Sequence, residues 1–372
     1  MDSIFPDSYA ESRARFIQDF ETVRVKWPDA RLESFRLKSD PDLSIDFGWA
    51  EPARKQTLIV ISSGLHGIEG YVGSAMLKIF MDEFAPRLDP ENTGLLLVHA
   101  INPSGMKIRR RYNENNVDIN RNFLWNEKFD PQANPDYEPL IPLLNPARQI
   151  SNLILSDAAF FFRLVGRIIR LGILRIRQGT LSGQYRHPKG VQYGGDTTQQ
   201  STQVLQSLMQ KALEEYAQVI HIDLHTGYGP RYQMSFVNST REPATAPDLV
   251  KRLNYPLIVA ATLSDFYTTT GDITDYFYQL RDEKFPAKKL FATCFEFGTF
   301  GDSLLAQIRS MRATIFENRL FHFGARTQAI RNTLRKEYEE LFFPIEAKWR
   351  EKALADCRLA YKGVFAAYDL LH

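Results

Sequence analysis

Cysteine is nearly missing: Cys294 and Cys357 are the 2 in 372 residues, too few for a disulfide framework, so a reducing cytoplasmic setting is expected. Long apolar runs are missing too. No stretch approaches the roughly 18 uninterrupted apolar residues of a membrane-spanning helix, and the opening MDSIFPDSYAESRARF lacks the basic-then-apolar order of a secretory signal. Neither sign of charge is in excess: 46 Lys and Arg face 44 Asp and Glu, for a net +2, so there is no global basic footprint and no nucleic-acid partner is expected. Internal repeats and low-complexity segments are absent, and 44% hydrophobic residues with 24% charged ones describe an ordinary globular chain rather than a disordered or fibrous one.

What is present reads as α/β. Short apolar runs at 57–62, 95–101, 219–224, 257–261 and 290–295 have the character of buried strands, and helical patterns at 71–84 and 202–216 lie between them. This alternation predicts a mixed, mostly parallel central sheet flanked by helices. The first 45 residues read as a helix near 8–25 and a short strand. Beyond 303 the composition predicts two helices, broken at Phe343-Pro344. The expectation is one catalytic domain with a core at about 45–302, an insertion at about 126–198 and a C-terminal helical extension at about 303–372. From Ala158 to Gly195 there is no Asp or Glu. Arg163, Arg167 and Arg170 fall at helical spacing opposite Phe160, Phe161, Leu164, Ile168 and Leu171, which predicts a core-packed helix with a solvated arginine face. Peripheral membrane contact through the basic helix 160–177 is the less favoured reading.

Four clusters carry chemistry. In ISSGLHGIEG a strand ends and His66 and Glu69 follow three apart as a helix begins. A catalytic zinc takes such nitrogen and oxygen ligands and wants three from the protein. The third is expected from His225, which closes the strand VIHIDLHTGYG at the sheet edge where ligands gather in open α/β folds. His221 points to the same face but lies deeper, and it reads as a core histidine, as does His99. The asparagine-rich loop INPSGMKIRRRYNENNVDINRNF offers Arg109, Arg110, Arg111, Asn120 and Arg121, whose guanidinium forks suit a carboxylate; the alternative is a solvated basic turn. In LFATCFEFGTF, Glu296 interrupts an apolar strand, where a carboxylate is costly unless paired or used.

In this order, His66-x-x-Glu69, the INPSG turn, the run Asp118 to Phe123, His225 and Glu296 resemble the zinc carboxypeptidase family over roughly residues 55 to 300, in a bacterial-type branch related to the succinylglutamate desuccinylase and aspartoacylase group. The spacing of Tyr267, Gly271 and Asp275 is similar to that around the family's mobile tyrosine. The resemblance implies one Zn2+ held by His66, Glu69 and His225, with Glu296 as general base and acid. It also implies that Asn120 and Arg121 grip the substrate's terminal carboxylate and that Tyr267 contacts it from a loop. Thr274, at the position that helps set side-chain preference in relatives, is neutral and does not indicate a pocket for basic side chains. An arginine that polarises the scissile carbonyl is assigned to Arg111, with Arg110 beside it at the substrate, because the triplet leaves the register open between them. The implied activity is hydrolysis of a C-terminal amide in a small peptide. The alternatives are an N-acyl amino acid deacylase and a non-catalytic carboxylate-binding protein. The long interval between Glu69 and His225 implies an insertion that caps the cleft.

Overall fold

A computed structural model describes residues 4–260 and 270–371. Ser8 opens the chain's first helix by accepting a hydrogen bond from the Glu11 N–H, and α1 (Tyr9–Val23) follows. Then come β1 (Arg31–Arg36), β2 (Ser44–Ala50), β3 (Thr57–Ser63), α2 (Gly70–Ile79), β4 (Thr93–His99) and α3 (Pro103–Lys107). Every residue of β3 and β4 is buried, as expected of strands covered on both faces. After an irregular stretch come α4 (Ile141–Leu144), α5 (Leu153–Leu171), α6 (Ile173–Leu181) and α7 (Gln200–Glu215). The second half contributes β5 (Gln218–Gly227), β6 (Met234–Asn238), α8 (Ala246–Leu253), β7 (Ile258–Ala260), α9 (Ile273–Lys284) and β8 (Lys289–Gly298). It closes with α10 (Leu304–Phe323), α11 (Gln328–Phe342) and α12 (Ala347–Ala367).

Among the described residues the strands form one mixed sheet in the order β1-β2-β4-β3-β5-β8-β6-β7. Its centre, β4-β3-β5-β8, is parallel throughout, while β2 and β6 run antiparallel to their inner neighbours. The carboxyl ends of β3, β5 and β8 therefore share one edge. The register pairs His225 with Glu296 across β5 and β8, which sets the spacing of the site before any side chain is considered.

Three sequence expectations change. The amino-terminal region carries two strands, β1 and β2, where one is expected, and β6 appears where none is. The C-terminal part holds three helices rather than two. The break at Phe343-Pro344 is present, and a second falls at Gly324, whose φ of 72° is open to glycine and ends α10.

The segment before α7 builds a separate apolar cluster in which Phe160 and Leu164 of α5 meet Ile315, Phe316 and Leu320 of α10. The Phe160 and Phe316 rings are 6.2 Å apart in T-shaped contact. The expected inward face is thus centred on Phe160 and Leu164, but Phe161 is 48% exposed. A second apolar face points outward, with Phe162 82% and Ile169 81% exposed, so α5 is apolar on two sides and the arginines occupy only a flank. Among the described residues no helix is long and apolar enough to cross a membrane.

Candidate metal centre and active site

The turn after β3 depends on close approach. Gly64 has a φ of 68°, and a side chain at Gly67 would meet the backbone of Gly105 at 2.2 Å, so the HGIEG turn and the NPSG helix can pack only as glycines. Backbone bonds from Gly67 and Ile68 to the carbonyls of Arg111 and Arg110 clamp the arginine loop onto this turn. Asn102 caps α3 through the Gly105 N–H at 2.8 Å and donates to the Arg111 carbonyl.

His66, Glu69 and His225 converge here, all buried. His66 Nδ1 is 2.9 Å from Glu69 Oε1, His225 Nδ1 is 3.1 Å from Glu69 Oε2, and the two Nδ1 atoms are 3.2 Å apart. The far side of each ring is also held: His66 Nε2 is 3.1 Å from Asp118 Oδ1, and His225 Nε2 is 2.5 Å from Asp223 Oδ2. Each Nε2 atom thus faces an aspartate, and both Nδ1 atoms turn toward Glu69 at the centre. Two imidazole nitrogens and a carboxylate, separated by about the edge of a zinc tetrahedron and each histidine backed by an aspartate, fit a divalent cation. Charge agrees with this. Burial alone would lower His225, but Asp223 and Glu69 raise it well above the ordinary imidazole range; a proton and a metal ion would compete for the same nitrogen. Burial alone would raise Glu69, yet His66 and His225 hold its carboxyl well below the usual range.

Glu296 stands beside this trio. Its Oε1 accepts from the Tyr228 N–H at 2.9 Å, and burial, followed by the Glu69 carboxylate, pushes it up to about 8. Positive charge in the cluster would offset the Glu69 contribution and draw it down again. Arg111 bonds Asp118 Oδ2 at 3.0 Å and Glu69 Oε1 at 3.4 Å, placing its guanidinium against the cluster.

Arg110 is a correction. It turns away from the site into the apolar cluster around α10, bonded to Glu317 at 2.7 Å and Asn116 at 3.0 Å and lying 3.6 Å from the centre of the Phe321 ring. Asn120 and Arg121 border the same cavity as the trio. The Asn120 amide bridges Asp272 and the Ile273 N–H, and Arg121 donates to the carbonyls of Leu181 and Asn120. Tyr267 lies outside the described residues. His221 is fully buried, bonded to Ser62 and stacked on Phe277 at 4.6 Å. The sequence reading passed over Asp118 and Asp223 as partners of the histidines. Asp223 carried a signal, since positions two apart on a strand share a face.

The cavity measures about 490 Å³ and is lined by Asn120, Arg121 and Thr274, by the trio, and by residues of α5, α6 and α10. A family model described as protein of unknown function (DUF2817) matches residues 5–356. No curated protein matches. Among solved structures the chain is similar to a carboxypeptidase A from Helicoverpa armigera, at 11% identity over 96% of this chain and 76% of that one, with a TM-score of 0.46. It is also similar to thrombin-activatable fibrinolysis inhibitor, at 11% identity over 99% and 78% with a TM-score of 0.49. A third is a succinylglutamate desuccinylase from Silicibacter sp. TM1040, at 13% identity over 79% and 67% with a TM-score of 0.37.

Proposed function

We propose that the chain, which belongs to the DUF2817 family, is a zinc-dependent hydrolase of the metallocarboxypeptidase type that cleaves an amide next to a free carboxylate. The observation that carries this reading is the convergence of His66 Nδ1, His225 Nδ1 and the Glu69 carboxylate, each histidine backed by an aspartate, with Glu296 alongside. When bound, zinc supplies a Lewis acid that polarises a carbonyl and lowers the pKa of water to about 7. Glu296 accepts the proton of the attacking water and returns it to the leaving nitrogen, a role open to a carboxyl that positive charge in the cluster draws back toward its ionised form. Arg111 places fixed positive charge where the carbonyl oxygen becomes negative, and Asp118 holds that guanidinium in place. Asn120 and Arg121 orient the substrate by its carboxylate.

The second reading is an N-acyl amino acid deacylase: α5 and α6 wall the cavity, which suits small peptides or acylated amino acids better than protein chains. The test is metal analysis with product analysis. Wild type is expected to hold one zinc and to release free amino acids from a peptide pool or from acylated amino acids. Glu296→Gln is expected to keep the zinc and lose turnover by about a hundredfold or more. Equal turnover in wild type and variant would remove Glu296 from the reaction, and a protein that takes up no zinc on reconstitution would remove the ligand assignment.

A further inference from the structure

The two ends of the cavity differ in chemistry. At one end stand Asn120, Arg121, Ser239 and Asp275, together with Asn238, whose buried amide has no hydrogen-bond partner among the described residues. At the other end Leu164 and Ile168 of α5, Ile173 and Ile176 of α6, and Ile308 and Met311 of α10 face the same space, interleaved with Arg177 and Thr180 of α6 and Gln307, Ser310 and Thr314 of α10. Helix α6 joins the two and measures the distance between them. Its last carbonyl, on Leu181, accepts from Arg121, and Ile173 lies eight residues back, about 12 Å at the helical rise. A molecule whose carboxylate sits at Arg121 and whose amide sits at the trio has this apolar lining within the same cavity, available to its other half.

We infer that this predominantly apolar end is a binding chamber for the acyl half of the substrate, and that the acyl group is a medium-length aliphatic chain rather than a small one. The inference rests on the proposed reaction for its orientation, but the apolar lining is an observation about side chains. An acetyl group would leave it largely unfilled. A chain that fills it removes its methylenes from water, at about three- to fourfold in affinity for each.

The test uses the zinc-reconstituted full chain and reads binding, so it does not depend on turnover. Acetate, butyrate, hexanoate and octanoate are titrated calorimetrically below their micellar range. Affinity is expected to rise about threefold or more per methylene from butyrate to octanoate, and the rise is expected to flatten in Ile168→Gln and in Ile308→Gln. A thermal melt shows whether each variant is folded, and Ile308→Trp, which fills the chamber without a polar atom, is expected to lose octanoate while keeping acetate. The double variant Phe162→Ser with Ile169→Ser, on the outer face of α5, is expected to leave the series unchanged. A flat series in wild type overturns the inference, and so does a steep one that the outer-face variant abolishes. Steep binding without hydrolysis of any N-octanoyl amino acid would leave the chamber standing and sink the proposed reaction. Hydrolysis of N-acetyl substrates with flat binding would do the reverse.

Discussion

The candidate metal centre and the α5–α6 wall border one cavity and are held by different balances of force. Around the trio every polar atom is tied at least once: Glu69 receives His66, His225, Arg111 and the Thr226 N–H, and Asp118 receives His66 and Arg111. The wall is held mainly by apolar contact through Phe160, Leu164 and Ile176, with the pairs Asp157–Arg312 and Arg175–Asp136 at its margins, and its outer side faces water with Phe162 and Ile169. A hydrogen-bonded network fixes direction, whereas an apolar contact fixes only proximity. Placing the rigid part at the reacting bond and the tolerant part at the substrate's tail is what a hydrolase with a defined reaction and a range of acyl groups would require.

The largest way to break this comparison is to empty the wall. Phe160→Ala removes a ring packed on Phe316 and is expected to cost about 3–5 kcal/mol in urea unfolding while zinc stoichiometry at 25 °C persists. Loss of zinc in the folded variant would show that the two regions are not separable. The next test is acid. His99, bonded to Ser12 and stacked on Phe16, is pushed by burial from 6.5 down to about 4, so its neutral form is the one the fold accepts. Its contribution is complete above about 6.5 and is lost as pH falls from there toward 4, by about 3 kcal/mol from this residue. Denaturant melts at pH 7 and pH 4.5 read it, and His99→Gln should shrink the difference. An unchanged difference would move the acid sensitivity elsewhere. Smaller again is Asp223→Asn, which keeps the shape but loses the charge behind His225; zinc affinity is expected to fall about 10- to 100-fold in chelator competition. The smallest effect belongs to Phe162→Ser. Its side chain is already in water, so stability should stay within about 0.5 kcal/mol, and a larger loss would mean that the outer face of α5 is covered in solution.

The strands bearing His225 and Glu296 were legible because a buried strand is a run of one kind of residue, and a polar side chain at its end stands out. The turn bearing His66 and Glu69 was legible for a related reason, since it follows such a run. Arg110 and Arg111 were not separable, because side chains in an irregular loop have no period. Arg109 has a φ of 55°, and the backbone reversal there sends the next two side chains opposite ways, one to Glu317 and one to Glu69. The outer face of α5 was hidden by its own composition. A helix apolar on two sides offers two candidate inward faces, and only the position of α10 decides between them. β6 is too short and too mixed in sequence to announce itself, and it is recruited by pairing with β8.

Asp118 has a consequence for how the parts of the site communicate. One of its oxygens accepts from His66 and from the Asn120 N–H, and the other accepts from Arg111. An ion that fixes His66 thereby also fixes the backbone that presents Asn120 and Arg121. Thermodynamic linkage makes this reciprocal: whatever factor metal binding contributes to the grip on a carboxylate, the carboxylate returns to the grip on the metal. On the proposed function, the protein would then hold an ion most tightly while a substrate is in place, and least tightly just after the product has gone.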